Sequence, residues 1–187
     1  MFIVFEGIDG SGKSSAIERL RESLESSGRK VMVTVEPTLG AIGKLVAETD
    51  GLTPEAEALL FTADRAEHTK QIRAWMDDGY TVISDRYFAS TLAYQSAAGM
   101  DIGWLKAINS KVIVQPDVTI LMDIDPEISL ERVNRRGETS RFEKLDYLRK
   151  VRQAYLSLSD EYGFTKVDAS RDRDTVADEI IKIAGRV

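Results

Sequence analysis

The chain has no cysteine. That excludes a disulfide framework, a thiolate metal site and a cysteine nucleophile, and it fits a reducing compartment, so a cytoplasmic location is expected. No apolar run approaches the roughly 20 residues that a bilayer-spanning helix needs. The opening residues, MFIVF, carry neither the basic segment nor the long apolar stretch of a secretion signal, so no membrane association is expected. Positive charge is in deficit: 25 Lys and Arg stand against 31 Asp and Glu, a net charge of −6. Such a chain is poorly suited to coat nucleic acid, and no nucleic-acid partner is expected. An anionic ligand would have to be met by cations gathered locally, so arginines and lysines beside turns are the residues to find. The chain has a single histidine, His68, which reads as structural.

What is present is enough for one domain with a full core: 187 residues, 43% of them hydrophobic. Apolar stretches at 2–6, 30–35, 80–84, 118–123 and 164–168 read as strands. Helical spacing falls between them, at 14–27, about 40–49, 54–78, 88–97, 102–114, 126–136, 141–161 and 173–184. Thr53-Pro54 and Asp125-Pro126 each pair an N-cap with a first-turn proline, and Gly28, Gly79 and Gly137 follow expected helix ends. Strands alternating with helices imply a parallel sheet covered on both faces, in one α/β domain over 1–187. There is no internal repeat, low-complexity tract or linker.

Gly7-Ile8-Asp9-Gly10-Ser11-Gly12-Lys13-Ser14 fits G-x-x-x-x-G-K-[ST], with Ser15 following, at a junction of strand and helix. A tight turn needs one glycine, not three. The surplus lets successive backbone N–H groups turn inward as an anion nest, backed by the positive end of the next helix. Lys13, expected in a solvent-facing loop, would reach the outer phosphates. The Ser14 hydroxyl would ligate Mg²⁺. The motif implies nucleoside triphosphate binding but no particular job. The base-reading N-K-x-D of GTPases is absent, and the chain is short for a motor ATPase. A kinase would need a second site and a lid carrying cations.

Three segments bear on that. SDRYFASTLAYQ (84–95) starts where the third strand ends, at the edge of the expected ligand crevice. Asp85 is placed there to hold Mg²⁺ through water or to orient Ser14, and Arg86 to grip a phosphate bidentately. The alternative is a surface Asp–Arg pair. In LLFTADRAEH (59–68), Phe61 and Arg65 share a helix face. Spacing alone favours a core phenylalanine with a surface arginine over a base-stacking pair. Arg132, Arg135, Arg136 and Arg141 cluster around Gly137. Dipole capping accounts for one or two of them. The cluster reads as a lid over phosphates at about 132–144, or else as a solvated basic face.

Taken together, FEGIDGSGKSS, LLFTADR, SDRYFASTLAYQ, PDVTILMDIDPEISLERVNRRG and KVDAS resemble the thymidylate kinase family, in the family's order and over most of the chain. The resemblance implies a P-loop NTPase-type three-layer fold with a five-stranded parallel core, a homodimer, and transfer from ATP to dTMP in dTTP biosynthesis. It implies that Phe61 stacks on thymine and Arg65 donates to its O4. Arg86 would hold the acceptor phosphate. Thr91 and Gln95 would contact the base, and Tyr94 would disfavour a ribose. Asp9 would meet the acceptor 3′-OH or the magnesium shell, and Ala169 and Ser170 would line the adenine pocket. Gly10 and the arginine-rich lid resemble the variant whose catalytic arginines lie in the lid, here Arg135, Arg136 and Arg141, rather than in the loop. The sequence departs from bacterial members after Pro37 (TLGAIG) and in a short segment from Ser96 to Pro116. Another nucleotide kinase, a deoxynucleoside kinase using Glu36 as base, and a non-catalytic nucleotide-binding module are the rival readings.

Overall fold

The computed structural model describes residues 1–134 and 145–186. Strands β1 (Phe2–Glu6), β2 (Val31–Val35), β3 (Thr81–Asp85), β4 (Val118–Asp123) and β5 (Thr165–Asp168) form one sheet in the order β2-β3-β1-β4-β5. Every pairing is parallel, with Phe5 opposite Asp85 on one side of β1 and Glu6 opposite Leu121 on the other. All five residues of β1 are buried. Alternate side chains of a strand point to opposite faces, so helices must cover both faces of the middle strand.

Those helices are α1 (Lys13–Ser26), α2 (Ala41–Glu48), α3 (Pro54–Asp77), α4 (Phe88–Ala97), α5 (Ile102–Asn109), α6 (Pro126–Asn134), α7 (Leu145–Tyr162) and α8 (Arg173–Ala184). They fall into two groups: α1 packs on α8, and α4 packs on α3, α5 and α7. Helix α1 buries Ala16, Ile17, Leu20 and Leu24, the apolar stripe of its sequence. Burying each large aliphatic side chain contributes about 1.5–3 kcal/mol. Thr53 caps α3 by accepting from Ala56 N at 3.2 Å, ahead of Pro54. Asp125 caps α6 by accepting from Glu127 N at 2.8 Å.

The connection leaving β1 runs to β2 on one side, and the connection leaving β3 crosses back to β4 on the other. That reversal opens a crevice at the carboxyl ends of the strands, where Glu6, Asp85 and Asp123 end β1, β3 and β4. The expected strands are all present, and the sequence-derived element bounds differ mostly by a residue or so. The exception is the helix expected over 102–114, which stops at Asn109. There the Asn109 amide turns back on Leu105 O at 2.8 Å, and the Val114 N–H is taken by the Tyr87 hydroxyl at 2.8 Å. The expected cap at Gly137 and the helix start at 141 lie outside the described residues.

Candidate active site

The three glycines of the loop have separate causes. Gly7, Gly10 and Gly12 all sit at positive φ (142°, 76° and 92°). A Cβ at Gly7 would meet Met122 O at 2.7 Å, and one at Gly10 would meet Ser129 O at 2.6 Å. At Gly12 there is open space, so only the backbone angle requires glycine. Gly10 is thus pressed against α6, and any side chain at that position collides with the helix backbone.

Lys13 opens α1 and is not in a solvent-facing loop as expected. It is only 7% exposed, because the loop wraps its side chain. Its Nζ donates to Gly7 O at 3.1 Å and to Ile8 O at 3.4 Å, with Asp85 3.9 Å away. Burial, with Arg86 adding to it, pushes the Lys13 ammonium down to about 8, against the pull of Asp85, Asp9 and Glu6. The Ser14 hydroxyl lies 3.4 Å from Asp85 Oδ2, while Asp85 Oδ1 is buried with no hydrogen-bond partner. One hydroxyl beside one under-satisfied carboxylate suits a Mg²⁺ whose remaining ligands are phosphate oxygens and water. Among the described residues no cluster of three acidic or histidine side chains exists to cage a metal without a nucleotide.

Arg86 follows β3 with φ 71°, a conformation that a non-glycine residue holds only when its surroundings fix it. The fixings are visible: Arg86 N donates to Phe5 O at 2.8 Å, and its carbonyl accepts from Ser84 Oγ at 2.7 Å. Its guanidinium pairs with Asp9, not with the adjacent Asp85, and lies over the Tyr94 ring at 5.2 Å. It also donates to Gly7 O at 3.3 Å and Ser90 Oγ at 3.0 Å. Burial opposes ionisation of Asp9, but the Arg86 and Lys13 charges together hold its carboxyl below the usual range. Asp9 therefore faces Arg86 rather than Ser14 and Asp85.

Behind Arg86 lies a carboxylate with no exposure at all, Glu6. One of its oxygens accepts from Tyr87 N at 2.9 Å and Ser90 N at 3.1 Å. The other accepts from Ser90 Oγ at 2.6 Å and Tyr155 Oη at 3.0 Å. The two hydroxyls also lie 2.7 Å from each other, and both oxygens are within reach of the Arg86 guanidinium, at 3.0 Å and 3.4 Å. Burial raises the Glu6 pKa, with the hydrogen bond from Ser90 and the Arg86 charge opposing the rise. Sequence reasoning missed Glu6, Ser90 and Tyr155. Glu6 had a signal, a carboxylate closing an otherwise apolar buried strand; Tyr155 had none.

Asp9, Phe61, Arg65, Arg86, Thr91, Tyr94 and Gln95 all border one cavity of about 180 Å³. Arg65 is 1% exposed, so the surface arginine that spacing favoured is overturned. Its Nε meets Glu36 at 2.9 Å, Nη1 meets Asn109 at 2.5 Å and Nη2 meets Thr91 at 3.0 Å. The second Glu36 oxygen faces His68 Nδ1 at 2.8 Å, and His68 Nε2 faces Thr34 Oγ1 at 2.8 Å. His68 is structural, as expected, and what it supports is the partner of Arg65.

Gly10, Ser11, Gly12, Ser15 and Ala169 border a second cavity, about 320 Å³, on the other side of the loop. Gly7 and Ile8 lie beneath, with their carbonyls on Lys13. Ser170 is exposed: its N–H and hydroxyl both bond Asp168, at 2.9 Å and 2.6 Å, and its carbonyl accepts from Arg132 at 3.4 Å. Arg132, which clusters with the lid arginines in sequence but lies a turn deeper in its helix where a structural partner is expected, donates to Ala169 O at 3.0 Å and borders this cavity beside Arg173. Arg135, Arg136 and Arg141 lie outside the described residues.

A parallel sheet in this order, a glycine loop after its middle strand and a separate cavity on each side of that loop define a P-loop nucleotide kinase fold. The comparisons agree and are more particular. The family model for thymidylate kinase matches residues 5–180. A probable thymidylate kinase of Pyrobaculum aerophilum is 43% identical over 191 residues, covering 100% of this chain and 97% of that protein. One of Archaeoglobus fulgidus is 44% identical, covering 98% and 94%, and one of Thermococcus kodakarensis is 43% identical, covering 98% and 96%. The chain belongs to the thymidylate kinase family.

Proposed function

We propose that the protein transfers the γ-phosphoryl of ATP to the 5′-phosphate of dTMP, giving dTDP and ADP on the way to dTTP. The observation that carries this reading is the place of Arg86. It borders the first cavity and donates to Gly7 O of the loop, so an acceptor phosphate held by Arg86 lies next to phosphates held by the loop.

In this mechanism ATP occupies the second cavity, its phosphates cradled by the loop N–H groups and Lys13. The dTMP base lies on Phe61 with Arg65 at its edge and Tyr94 beside the sugar. Arg86 exchanges part of its bonding to Asp9 for the acceptor phosphate. Ser14 and Asp85 would hold Mg²⁺, which would supply charge neutralisation at the ATP phosphates. The acceptor oxygen is already ionised at neutral pH, so no general base is required. Glu36, the base of the deoxynucleoside-kinase reading, is poorly suited to that task, since Arg65 and His68 occupy its two oxygens. Lid arginines Arg135, Arg136 and Arg141 complete the charge on the transferring group, because Gly10 cannot carry a side chain.

A cytoplasmic homodimer belongs to the same proposal. Edge strand β2 leaves Val33 and Val35 about two-fifths exposed, and Leu39, Leu45 and Leu59 stand out nearby in sequence at 80%, 52% and 49%. Exposed apolar side chains of this kind are what a protein partner would cover. Among the described residues no helix is long and apolar enough to cross a membrane.

The test is ADP release with ATP, Mg²⁺ and each of dTMP, dUMP, dGMP, dCMP and thymidine. Strong turnover with dTMP is expected. Preference for thymidine would establish the nucleoside kinase, and ATP binding without turnover on any acceptor would establish a binding module.

A further inference from the structure

Helix α3 presents Glu57, Phe61 and Arg65 at four-residue intervals, and α4 presents Thr91 and Gln95 in the same way. Two hydrogen bonds join these stripes like rungs. Arg65 Nη2 donates to Thr91 Oγ1 at 3.0 Å, and Gln95 Nε2 donates to Glu57 Oε2 at 2.8 Å. Phe61 lies between the rungs in sequence and borders the same cavity as Arg65 and Gln95. Glu57 is 8% exposed and Gln95 3%.

The lower rung fixes an orientation. An ionised carboxylate only accepts hydrogen bonds, whereas a glutamine amide has a donating and an accepting end. Glu57 therefore binds the NH₂ end, and the carbonyl Oε1 of Gln95 is turned away from it. Among the described residues that oxygen accepts from no protein group, although its residue borders the cavity. The upper rung has the opposite polarity. Arg65 offers only donors: Nε bonds Glu36, Nη1 bonds Asn109 and Nη2 bonds Thr91, with Glu36 Oε2 also 2.7 Å from Nη2, and each Nη carries a second hydrogen. A base stacked on Phe61 thus meets a donor at one edge position and an acceptor at the next. The O4 and N3–H of thymine present the complementary order, acceptor then donor. Cytosine presents donor then acceptor and is mismatched at both.

We propose that Glu57 is a positioning residue for base selection: by holding the Gln95 amide with its carbonyl toward the cavity, it makes the pocket complementary to a pyrimidine imide edge and hostile to an aminopyrimidine edge. This rests on the reading of the first cavity as the dTMP site. A base selector of this kind acts in binding, so its signature is a shift between competing bases rather than a loss of chemistry.

The variant Glu57→Gln keeps the shape but can satisfy either end of the Gln95 amide. The KM for dTMP should rise about tenfold, with kcat within about threefold and the inhibition constant of dCMP unchanged or lower. If both constants rise together, or neither moves, Glu57 only packs and the proposal falls. Should that variant not fold, Gln95→Met removes the amide at similar volume. The wild-type protein should then prefer dTMP over N3-methyl-dTMP by at least about tenfold, and Gln95→Met should not. An equal preference in both overturns the proposal. A wild-type protein that turns over thymidine but not dTMP sinks the underlying function and this inference with it, and that outcome is read before any variant is made.

Discussion

Lys13 and Arg86 donate to the same carbonyl oxygen, that of Gly7, from 3.1 Å and 3.3 Å. Two cations from different elements converge on one point of the loop. Each raises the cost of charging the other, and an arriving phosphate relieves both. The relation between them explains why the loop buries a lysine that isolated sequence logic leaves in solvent, and it has a pH signature.

In the free protein Lys13 is charged below about 8 and loses its proton above that, because its pKa is depressed. A free-enzyme group reports in kcat/KM. The kcat/KM for ATP should therefore fall as pH rises through about 8, whereas kcat at saturating ATP should stay level, since bound phosphates hold the lysine charged. Lys13→Arg should remove the alkaline fall while lowering the rate. A kcat/KM profile flat to pH 10 with wild-type protein would reject the assignment.

Glu6 provides a second test of the same corner. Glu6→Gln preserves shape, but it replaces an accepting oxygen with an NH₂ that must donate to Ser90 and Tyr155, so the two hydroxyls must reorient beside Arg86. Arg86 uses both hydroxyl oxygens as acceptors in the wild type, at 3.0 Å and 3.4 Å, and their reorientation disturbs those bonds. Reversing such bonds in a buried network costs about 1–3 kcal/mol. The expected result is a KM for dTMP raised about tenfold or more, with a lower Tm by calorimetry. A variant with unchanged KM would show that Arg86 holds its position without Glu6.

The fold was legible because its signals are local. Strand runs, caps such as Thr53 and Asp125, and the glycines beside Lys13 each report on a few neighbouring residues. The cavity-facing side chains were legible only through family resemblance. Phe61 and Arg65 lie four residues apart on one helix, and nothing in that spacing says that Glu36, Asn109 and Thr91 will bury the arginine. Those partners come from three other segments, brought together by tertiary packing. Tyr155 illustrates the limit: it has helical core spacing, and only the structure shows its hydroxyl turned to Glu6. Ser170 matches a family position, and in the structure its N–H and hydroxyl bond Asp168 while its carbonyl accepts from Arg132.

Phe61 separates base binding from nucleotide binding at large. It borders the first cavity and not the second. Base–aromatic stacking contributes about 1–3 kcal/mol where it has been measured by alanine substitution. Phe61→Ala should weaken dTMP binding by that amount in titration calorimetry and leave ATP affinity nearly unchanged. Equal losses for both ligands would make Phe61 a packing residue.

The arginines beyond α6 carry the sharpest test, because the loop is closed to extra charge. At Gly10 the nearest atom to a built Cβ is Ser129 O, at 2.6 Å, and backbone of a helix cannot step aside. Lys13 and Arg86 both donate to Gly7 O of the loop and are partly committed to neighbouring carboxylates, while Arg132 and Arg173 border the second cavity. On the proposed mechanism, Arg135, Arg136 and Arg141 would answer the further charge that develops on the transferring phosphoryl group. Arg132 is already bonded to Ala169 O and serves as the control. Replacing each of the three singly with alanine should lower kcat strongly in at least one case, with little change in the KM for dTMP. An arginine finger contributes about 10³–10⁵ in other phosphoryl transferases, so a partial equivalent is readily measured. The loss belongs in kcat because the charge being answered exists only in the transition state. Arg132→Ala should instead raise the KM for ATP by loosening the wall at Ala169. Near-normal kcat in all three single variants would make the cluster a solvated basic face and leave Lys13, Arg86 and the metal to carry the chemistry.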